Sequence, residues 1–268
     1  MDQDKTERVW GTTKAETNPT CLSALKLRYC LDDLRKIKGS VLEVGCGAGM
    51  FALAIKKHLP ALSVCGCDID ERAINLAKKR ETRVDFRFGD VYKLPYESAS
   101  FDAVVSFDVL EHLEEPNKAL DEVRRVLKAG GLFHLYVPCE GDVYTIYGIF
   151  KRLGIIPKRK YAGHIQQYEQ ASLRNLLEEK GFRVQRIRFS SHLLLQLIDF
   201  SYFLFLSLLR RNVSLTIEGY LDRKDTTPPI FKWFLSQLKA VVAVIGYFES
   251  RLLKNFPGHG VHFTCLRV

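Results

Sequence analysis

A strand pattern followed by three closely spaced glycines constrains this chain more than any other feature. Residues 41–44 read Val-Leu-Glu-Val, and Gly45, Gly47 and Gly49 follow before the apolar start of a helical pattern. Glycine lets the backbone turn tightly and lets a ligand lie directly against the peptide chain. The free N–H groups at the start of the next helix suit a polar or anionic ligand group. The pattern therefore predicts a strand–loop–helix unit that binds a ligand, with Glu43 just before the loop.

Five strand patterns lie between residues 40 and 138, most of them followed by a helical pattern. The predicted strands cover residues 41–44, 62–67, 84–88, 101–106 and 132–137. Such alternation predicts a parallel, doubly wound α/β sheet. In this architecture ligands bind beyond the carboxyl ends of the strands. Acidic residues lie at or near four of these ends and predict a shared site: Glu43, Asp68, Asp90 and Asp108.

The glycine spacing and two further runs carry a family resemblance. The third glycine comes one residue earlier than in the dinucleotide fingerprint G-x-G-x-x-G, which disfavours a nicotinamide dehydrogenase. With the DVLEHL run from Asp108 and the GHIQQY run from Gly163, the chain resembles class I S-adenosylmethionine (SAM)-dependent methyltransferases of the small-molecule, ubiquinone-biosynthesis-like type. The resemblance covers about residues 38–189 and returns at the last strand. It implies a Rossmann-like, doubly wound seven-stranded sheet and SAM as the cofactor.

The resemblance also implies which residues hold SAM. They lie at the strand ends and in the loop: Glu43, Gly45, Gly47, Gly49, Asp68, Asp90, Val91 and Phe107. In this assignment the glycines lie under the methionine and ribose, Glu43 lies near the methionine ammonium, and Phe107 flanks the methionine end. Asp68 accepts hydrogen bonds from both ribose hydroxyls, as a carboxylate with two oxygens can. Asp90 accepts from the adenine amino group, and Val91 offers a backbone contact.

Two aspartates near the strand ends have competing explanations. Asp70, two residues after Asp68, is the rival for the ribose, but its position before a predicted helix from Glu71 favours a helix cap. Asp90 taken alone is typical of a Gly-Asp turn. Because Asp90 lies at a strand end, as Glu43, Asp68 and Asp108 do, a contact with the ligand is favoured instead.

Transfer of the methyl group needs few protein groups, because the sulfonium of SAM brings its own reactivity. An oxygen or carbon acceptor also needs a base, and His112 and His164 are the candidates. For each, a structural hydrogen bond is the alternative, and for His112 it is the favoured one. The seven cysteines are scattered, and the closest pair, Cys65 and Cys67, has no second pair to complete a zinc site. We therefore predict no metal site.

A long apolar insertion separates the last two predicted strands. The sequence divides into an N-terminal helical segment (1–39), a SAM-binding core (40–189), a helical insertion (190–259) and a final core strand (260–268). Residues 151–268 contain 19 Lys or Arg and eight Asp or Glu, so this part carries a net charge of +11. If the sixth strand runs parallel to the first five, the insertion emerges beside the ligand site.

The insertion has two interpretations. Residues 189–209 contain a single charge, Asp199, but arginines flank both ends, including Arg210 and Arg211, which disfavours a simple transmembrane helix. Residues 230–256 place apolar side chains along one helical face. Both helices could form a soluble cap over the core, or lie in the interface of an anionic membrane. The polar N-terminus and the free thiols predict a cytoplasmic location, with contact at the membrane face under the second interpretation.

These features together predict a SAM-dependent methyltransferase that acts on a small, lipophilic acceptor through O- or C-methylation. A nucleic-acid methyltransferase that uses the basic C-terminal half is one alternative. The run after the fourth strand lacks the Asn-Pro-Pro-Tyr type of signature of nucleic-acid amine methyltransferases, which disfavours a nucleic-acid partner. A non-catalytic SAM-binding module is the other alternative, and it predicts SAM binding without turnover.

Overall fold

The computed structural model describes residues 9–155, 158, 162–208 and 229–268, and it contains one seven-stranded sheet with helices on both faces. The helices are α1 (Ala24–Leu34), α2 (Met50–His58), α3 (Glu71–Arg80), α4 (Pro116–Val126), α5 (Ile146–Lys151), α6 (Gln170–Glu179), α7 (Leu193–Leu208) and α8 (Pro229–Leu252). The strands are β1 (Ser40–Val44), β2 (Ser63–Asp68), β3 (Asp85–Phe88), β4 (Phe101–Phe107), β5 (Leu127–Pro138), β6 (Phe182–Ser190) and β7 (Gly260–Arg267). The predicted α/β sheet is confirmed.

The strand order β3-β2-β1-β4-β5-β7-β6 places the glycine loop at the centre of the sheet. The first five strands pair in parallel, whereas β7 runs antiparallel to both β5 and β6. It follows that β6 points in the same direction as β1 to β5. The structure thus meets the condition that the sequence left open, and the insertion after β6 leaves the sheet at the edge where the first five strands end.

Apolar side chains cover both faces of the sheet, since a largely parallel sheet is buried on both sides. On one face the helices supply Leu34 of α1, Ile55 of α2 and Ile74 of α3. On the other face they supply Leu120 of α4 and Leu177 of α6. All five are at most 1% exposed, so these two layers fix the strand ends in place.

Two predicted boundaries are wrong. The fifth strand begins at Leu127 rather than at residue 132, and its pairing with β4 jumps from Leu127 opposite Phe101 to Leu132 opposite Ala103. The extra residues bulge out of the ladder, and Gly130 adopts a φ of 71° there. The N-terminal helical pattern is also too long, because the described helix begins only at Ala24.

The insertion contains α7 and α8, and α7 lies against the core through a polar contact. Asp199 of α7 pairs with Lys158 at 2.6 Å and accepts a hydrogen bond from the Tyr147 hydroxyl at 2.8 Å. None of the helices within the described ranges is long and apolar enough to cross a bilayer. The flanking Arg210 and Arg211 lie outside the described residues.

Candidate active site

The glycine loop connects β1 to α2 through left-handed backbone positions. Gly45, Gly47 and Gly49 have φ values of 73°, 51° and 84°, a region that residues with a side chain rarely adopt. A Cβ atom on Gly47 would lie 2.6 Å from the carbonyl oxygen of Trp10, and one on Gly49 would lie 2.6 Å from the ring of Phe86. The loop therefore requires glycine, and it presents main chain instead of side chains at the end of the sheet.

Asp68 at the end of β2 faces the loop, whereas Asp70 does not. One carboxylate oxygen of Asp68 accepts the N–H of Gly47 at 2.7 Å, and the other accepts the N–H of Asp70 at 2.9 Å. Asp70 caps α3 by accepting the N–H groups of Arg72 at 2.9 Å and Ala73 at 3.4 Å. The prediction that Asp70 is a helix cap is confirmed. Asp68 keeps further lone pairs for a ligand, because a carboxylate can accept about four hydrogen bonds.

Glu43 is a buried carboxyl under the first turn of α2. It is 2% exposed, and its Oε2 accepts the N–H of Ala52 at 2.6 Å. Burial raises the pKa of Glu43 well above its usual range; the bond to Ala52 opposes this shift, and the charge of Asp68 adds to it. Within the described ranges no Lys or Arg pairs with it. A cationic ligand group such as an ammonium would stabilise its ionised form.

The remaining predicted SAM residues have clear structural roles of their own. Asp90 follows β3 and accepts the N–H of Tyr92 at 2.9 Å, so the turn explanation also holds. Val91 is half-buried beside the core. The ring of Phe107 stacks on Phe51 with 3.9 Å between centroids and is 5% exposed, so its main chain rather than its ring lies at the strand end. The assignment of these residues to SAM stays a prediction.

An N-terminal segment that the sequence did not associate with the site lies against the glycine loop. The Trp10 carbonyl oxygen accepts the N–H of Ala48 at 2.7 Å. Arg80 of α3 donates to the carbonyl oxygens of Gly11 at 2.9 Å and Ala48 at 2.8 Å, which holds the two segments together. No local sequence signal could have found this contact, because it joins residues almost forty positions apart.

These residues fit SAM. The three glycines leave the loop without side chains, so a ligand such as SAM can approach its main chain closely. In the predicted assignment each donor group of SAM would meet an acidic acceptor at a strand end: the ribose hydroxyls at Asp68, the ammonium at Glu43 and the adenine amino group at Asp90. The buried carboxyl of Glu43 in particular suits a cationic group.

The end of β4 carries a second feature that the sequence did not indicate. Asp108 adopts a positive φ of 53°, and its carboxylate pairs with Lys26 of α1 at 2.5 Å. The Lys26 ammonium also lies 3.9 Å from the centroid of the Tyr136 ring. Although burial opposes the charge, Asp108 and the other nearby groups raise the pKa of Lys26. Helix α1 thus brings a positive charge to the end of β4.

Both candidate histidines lie next to this strand end. Their rings meet edge to face with 4.9 Å between centroids, and the His112 Nδ1 lies 3.0 Å from the carbonyl oxygen of Gly163. The Nδ1 of His164 contacts a carboxylate oxygen of Glu140 at 2.8 Å. Burial, and secondarily His164, lower the pKa of His112. The structural hydrogen bond expected of His112 is therefore present, and His164 gains a carboxylate partner that the sequence analysis did not name.

Glu111 completes this group of side chains. It is 0% exposed, and neither carboxylate oxygen has a hydrogen-bond partner in the described part of the chain. Burial raises its pKa well above the usual range. Glu111, His112 and His164 each bring one potential ligand atom to within 4.8 Å of the others. The absence of a metal stays a prediction. The geometry shows that the unpaired carboxyl of Glu111 lies beside the two partnered histidines.

A narrow cleft that opens to solvent lies between α1 and the insertion helices. Its walls include Leu25 of α1, Leu195 of α7, and Ala243 and Tyr247 of α8. Lys26 also lines this cleft. Because Lys26 also pairs with Asp108, this one side chain connects the cleft to the end of β4.

Comparisons with known proteins agree with this geometry. Residues 42–135 match the family model described as "Methyltransferase domain". A Mycolicibacterium smegmatis protein named "Probable S-adenosylmethionine-dependent methyltransferase" is 36% identical over 148 residues, which cover 54% of this chain and 52% of that protein. A ubiquinone biosynthesis O-methyltransferase of Coxiella burnetii is 26% identical over 184 residues, 65% of this chain and 77% of that protein. The chain spans about half the length of the first two curated relatives that it matches.

Solved structures support the fold alone, since their identities are low. The [4+2]-cyclase SpnF superposes with a TM-score of 0.59 at 18% identity, covering 96% of this chain and 83% of that one. A SAM-dependent methyltransferase of Thermotoga maritima gives 0.54 at 18% identity, covering 92% and 89%. The parallel sheet, the glycine loop with its strand-end carboxylates and the family model that residues 42–135 match all support a class I SAM-dependent methyltransferase.

Proposed function

We propose that this protein transfers the methyl group of SAM to a small, lipophilic acceptor. The observation that carries the proposal is the enclosed polar group beside Asp108. Glu111 and Glu140 are at most 1% exposed and His164 is 9% exposed. Glu111 has no hydrogen-bond partner among the described residues, so its carboxyl is available to a polar group of a small acceptor that this closed site would surround.

The chain's own residues orient the reactants and exclude water. SAM, when bound, supplies an electrophilic methyl group on a positively charged sulfur. Asp68 and Glu43 would hold its ribose and ammonium at the carboxyl ends of β2 and β1. His164 or His112 would accept the proton of a hydroxyl or carbon acid, and a closed pocket would keep both reactants in contact. One relative is named as an O-methyltransferase, which favours oxygen as the acceptor atom.

The cleft between α1 and the insertion supports a lipophilic acceptor. Most of its lining residues are apolar, and its polar residues are Lys26, Ser190 and Ser191. Because Lys26 also pairs with Asp108, an acceptor whose apolar part lies in the cleft would place its polar part near the end of β4. Burial of apolar surface stabilises binding by roughly 25 cal/mol per Å².

Methyl-labelled SAM tests this function directly. The purified protein is incubated with labelled SAM and with either the lipid or the aqueous fraction of a cell extract. We expect label to enter molecules that partition into organic solvent, since the cleft and the enclosed site favour such an acceptor. Label found only in aqueous small molecules would contradict the lipophilic acceptor. Label in nucleic acid would favour the alternative substrate class, and SAM binding without any transfer would favour a non-catalytic module.

We also propose that the insertion rests on an anionic membrane surface. Several large apolar side chains of α7 and α8 are about half exposed or more: Leu193, Leu197, Phe205, Trp233, Leu238, Val241, Ile245, Phe248 and Leu252. Residues 151–268 carry the net charge of +11. An exposed apolar face combined with positive charge is typical of helices that lie in the interface of anionic bilayers.

Co-sedimentation with vesicles tests the membrane contact. We expect the protein to bind vesicles that contain phosphatidylglycerol, and to bind pure phosphatidylcholine vesicles less. Ile245 and Phe248 are 52% and 60% exposed, so their replacement by Glu should weaken binding at least tenfold without lowering the melting temperature. Leu76→Glu on α3, where the side chain is 36% exposed, is the matched control and should bind as the wild type does. Equal sedimentation of all variants, or no binding at all, would leave α7 and α8 as a cap over the core.

A further inference from the structure

Glu140 lies two residues beyond β5 and gathers three basic side chains. It is 1% exposed. Its Oε1 contacts the His164 Nδ1 at 2.8 Å and the Lys158 ammonium at 3.2 Å. The His259 Nε2 lies 3.6 Å away, just beyond hydrogen-bond distance. Two donors thus converge on one carboxylate oxygen, which fixes the position of His164.

The same network continues from Glu140 to the insertion. Lys158 is 8% exposed at its side chain and pairs with Asp199 of α7 at 2.6 Å. The Tyr147 hydroxyl donates to the same carboxylate at 2.8 Å, and the Lys158 ammonium lies 4.5 Å from the Tyr147 ring centroid. A continuous line of contacts therefore joins His164, Glu140, Lys158 and Asp199.

The charges in this line support one another. Burial opposes the charge of Glu140, but Lys158 and His164 hold the pKa of its carboxyl well below the usual range. The pKa of Lys158 is raised by its two carboxylates despite burial. Burial lowers the pKa of His259, which is therefore a neutral neighbour. An ionised carboxylate accepts hydrogen bonds only, so the His164 Nδ1 must be the donor in this contact.

We propose that Glu140 is the positioning residue of His164: it holds the proton on Nδ1 and leaves Nε2 for the reacting ligand, while Lys158 and Asp199 tie this arrangement to helix α7. The idea rests on the proposed function in so far as His164 serves the transfer. A carboxylate that binds one ring nitrogen fixes both the tautomer and the orientation of the ring. Movement of α7 would then alter the histidine through the Lys158–Asp199 pair.

Nuclear magnetic resonance of the free protein tests the tautomer without any methyl transfer. With ¹⁵N-labelled histidine, we expect the neutral His164 ring in the wild type to carry its proton on Nδ1. In Glu140→Gln the amide can accept from the ring or donate to it, so the ring should populate both tautomers. A proton on Nε2 in the wild type, or an unchanged tautomer in Glu140→Gln, would overturn the proposal. Failure of methyl transfer would not affect this measurement, so the two hypotheses can be separated.

A double-mutant cycle separates positioning from general stabilisation. We expect Glu140→Gln to lower kcat at least tenfold with little change in SAM affinity. If Glu140 acts through His164, then Glu140→Gln combined with His164→Ala should be no slower than His164→Ala alone. Multiplied losses in the double variant would mean a separate structural role and would contradict the proposal. Should Glu140→Gln fail to fold, Asp199→Asn replaces it in the double-mutant cycle. The Asp199 side chain is 40% exposed, so this substitution disturbs the core less.

Discussion

Replacing Asp68 by Ala should weaken SAM binding at least 100-fold. Hydrogen bonds to a charged acceptor contribute about 1.5–3 kcal/mol each, and the proposed role gives Asp68 two from the ribose. Each 1.4 kcal/mol corresponds to about a factor of ten in affinity. The substitution also frees the Gly47 N–H, which Asp68 accepts at 2.7 Å, so the loop loses a support. Titration calorimetry with SAM measures the change.

Asp70 provides a matched control two residues away. It caps α3 through the N–H groups of Arg72 and Ala73. Asp70→Ala should therefore lower the free energy of unfolding by about 1 kcal/mol, as loss of a helix cap does. Its SAM affinity should stay within about twofold of the wild type. If both variants lost SAM binding equally, the assignment of the ribose to Asp68 would be wrong.

Replacing Glu43 by Gln should stabilise the free protein at neutral pH and weaken SAM binding. Burial raises the pKa of Glu43 in the folded state, so the folded chain binds more protons than the unfolded chain above the ordinary pKa of a glutamic acid. The free energy of unfolding then falls as the pH rises from the ordinary pKa of a glutamic acid to the raised pKa of Glu43 in the folded protein. Gln can still accept the Ala52 N–H but carries no charge, so this contribution to the pH dependence disappears.

The loss of the charge should cost SAM affinity about 10- to 100-fold, because the methionine ammonium loses a charged acceptor. Thermal melting over a pH series, with and without SAM, measures both effects. Glu122 is the control, because hydrogen bonds from Arg125 lower the pKa of its carboxyl, whereas the pKa of Glu43 is raised. Glu122→Gln should lower the melting temperature and leave SAM affinity unchanged. A Glu43→Gln variant that melts like the wild type and binds SAM equally would contradict both roles of Glu43.

Much of the core could be predicted because its signals are local. Apolar runs that end in Gly or Asp mark the strands, and the periods of the intervening segments mark the helices. The sequence left the direction of β6 open, and the observed pairing makes β6 parallel to β1–β5, which is the condition under which the insertion emerges at the ligand edge. Asp70 could be distinguished from Asp68 because a helix cap has a fixed position relative to its helix.

The rest of the site depends on contacts between distant segments, which leave no local pattern. Lys26 approaches Asp108 across 82 positions, and Asp199 meets Tyr147 across 52. Residues 128–131 contain two glycines and a lysine, which is typical of a turn, yet pairing with β4 on either side keeps them in the strand. Packing overrides local preference at such positions.

Binding of SAM to the wild-type protein tests the central claim most directly. Titration calorimetry with SAM, and separately with NADH, measures which ligand the glycine loop accepts. We expect one SAM to bind per chain and NADH not to bind, because the loop spacing and the strand-end carboxylates suit SAM. Binding of NADH in preference to SAM, or no SAM binding at all, would contradict the assignment of the site.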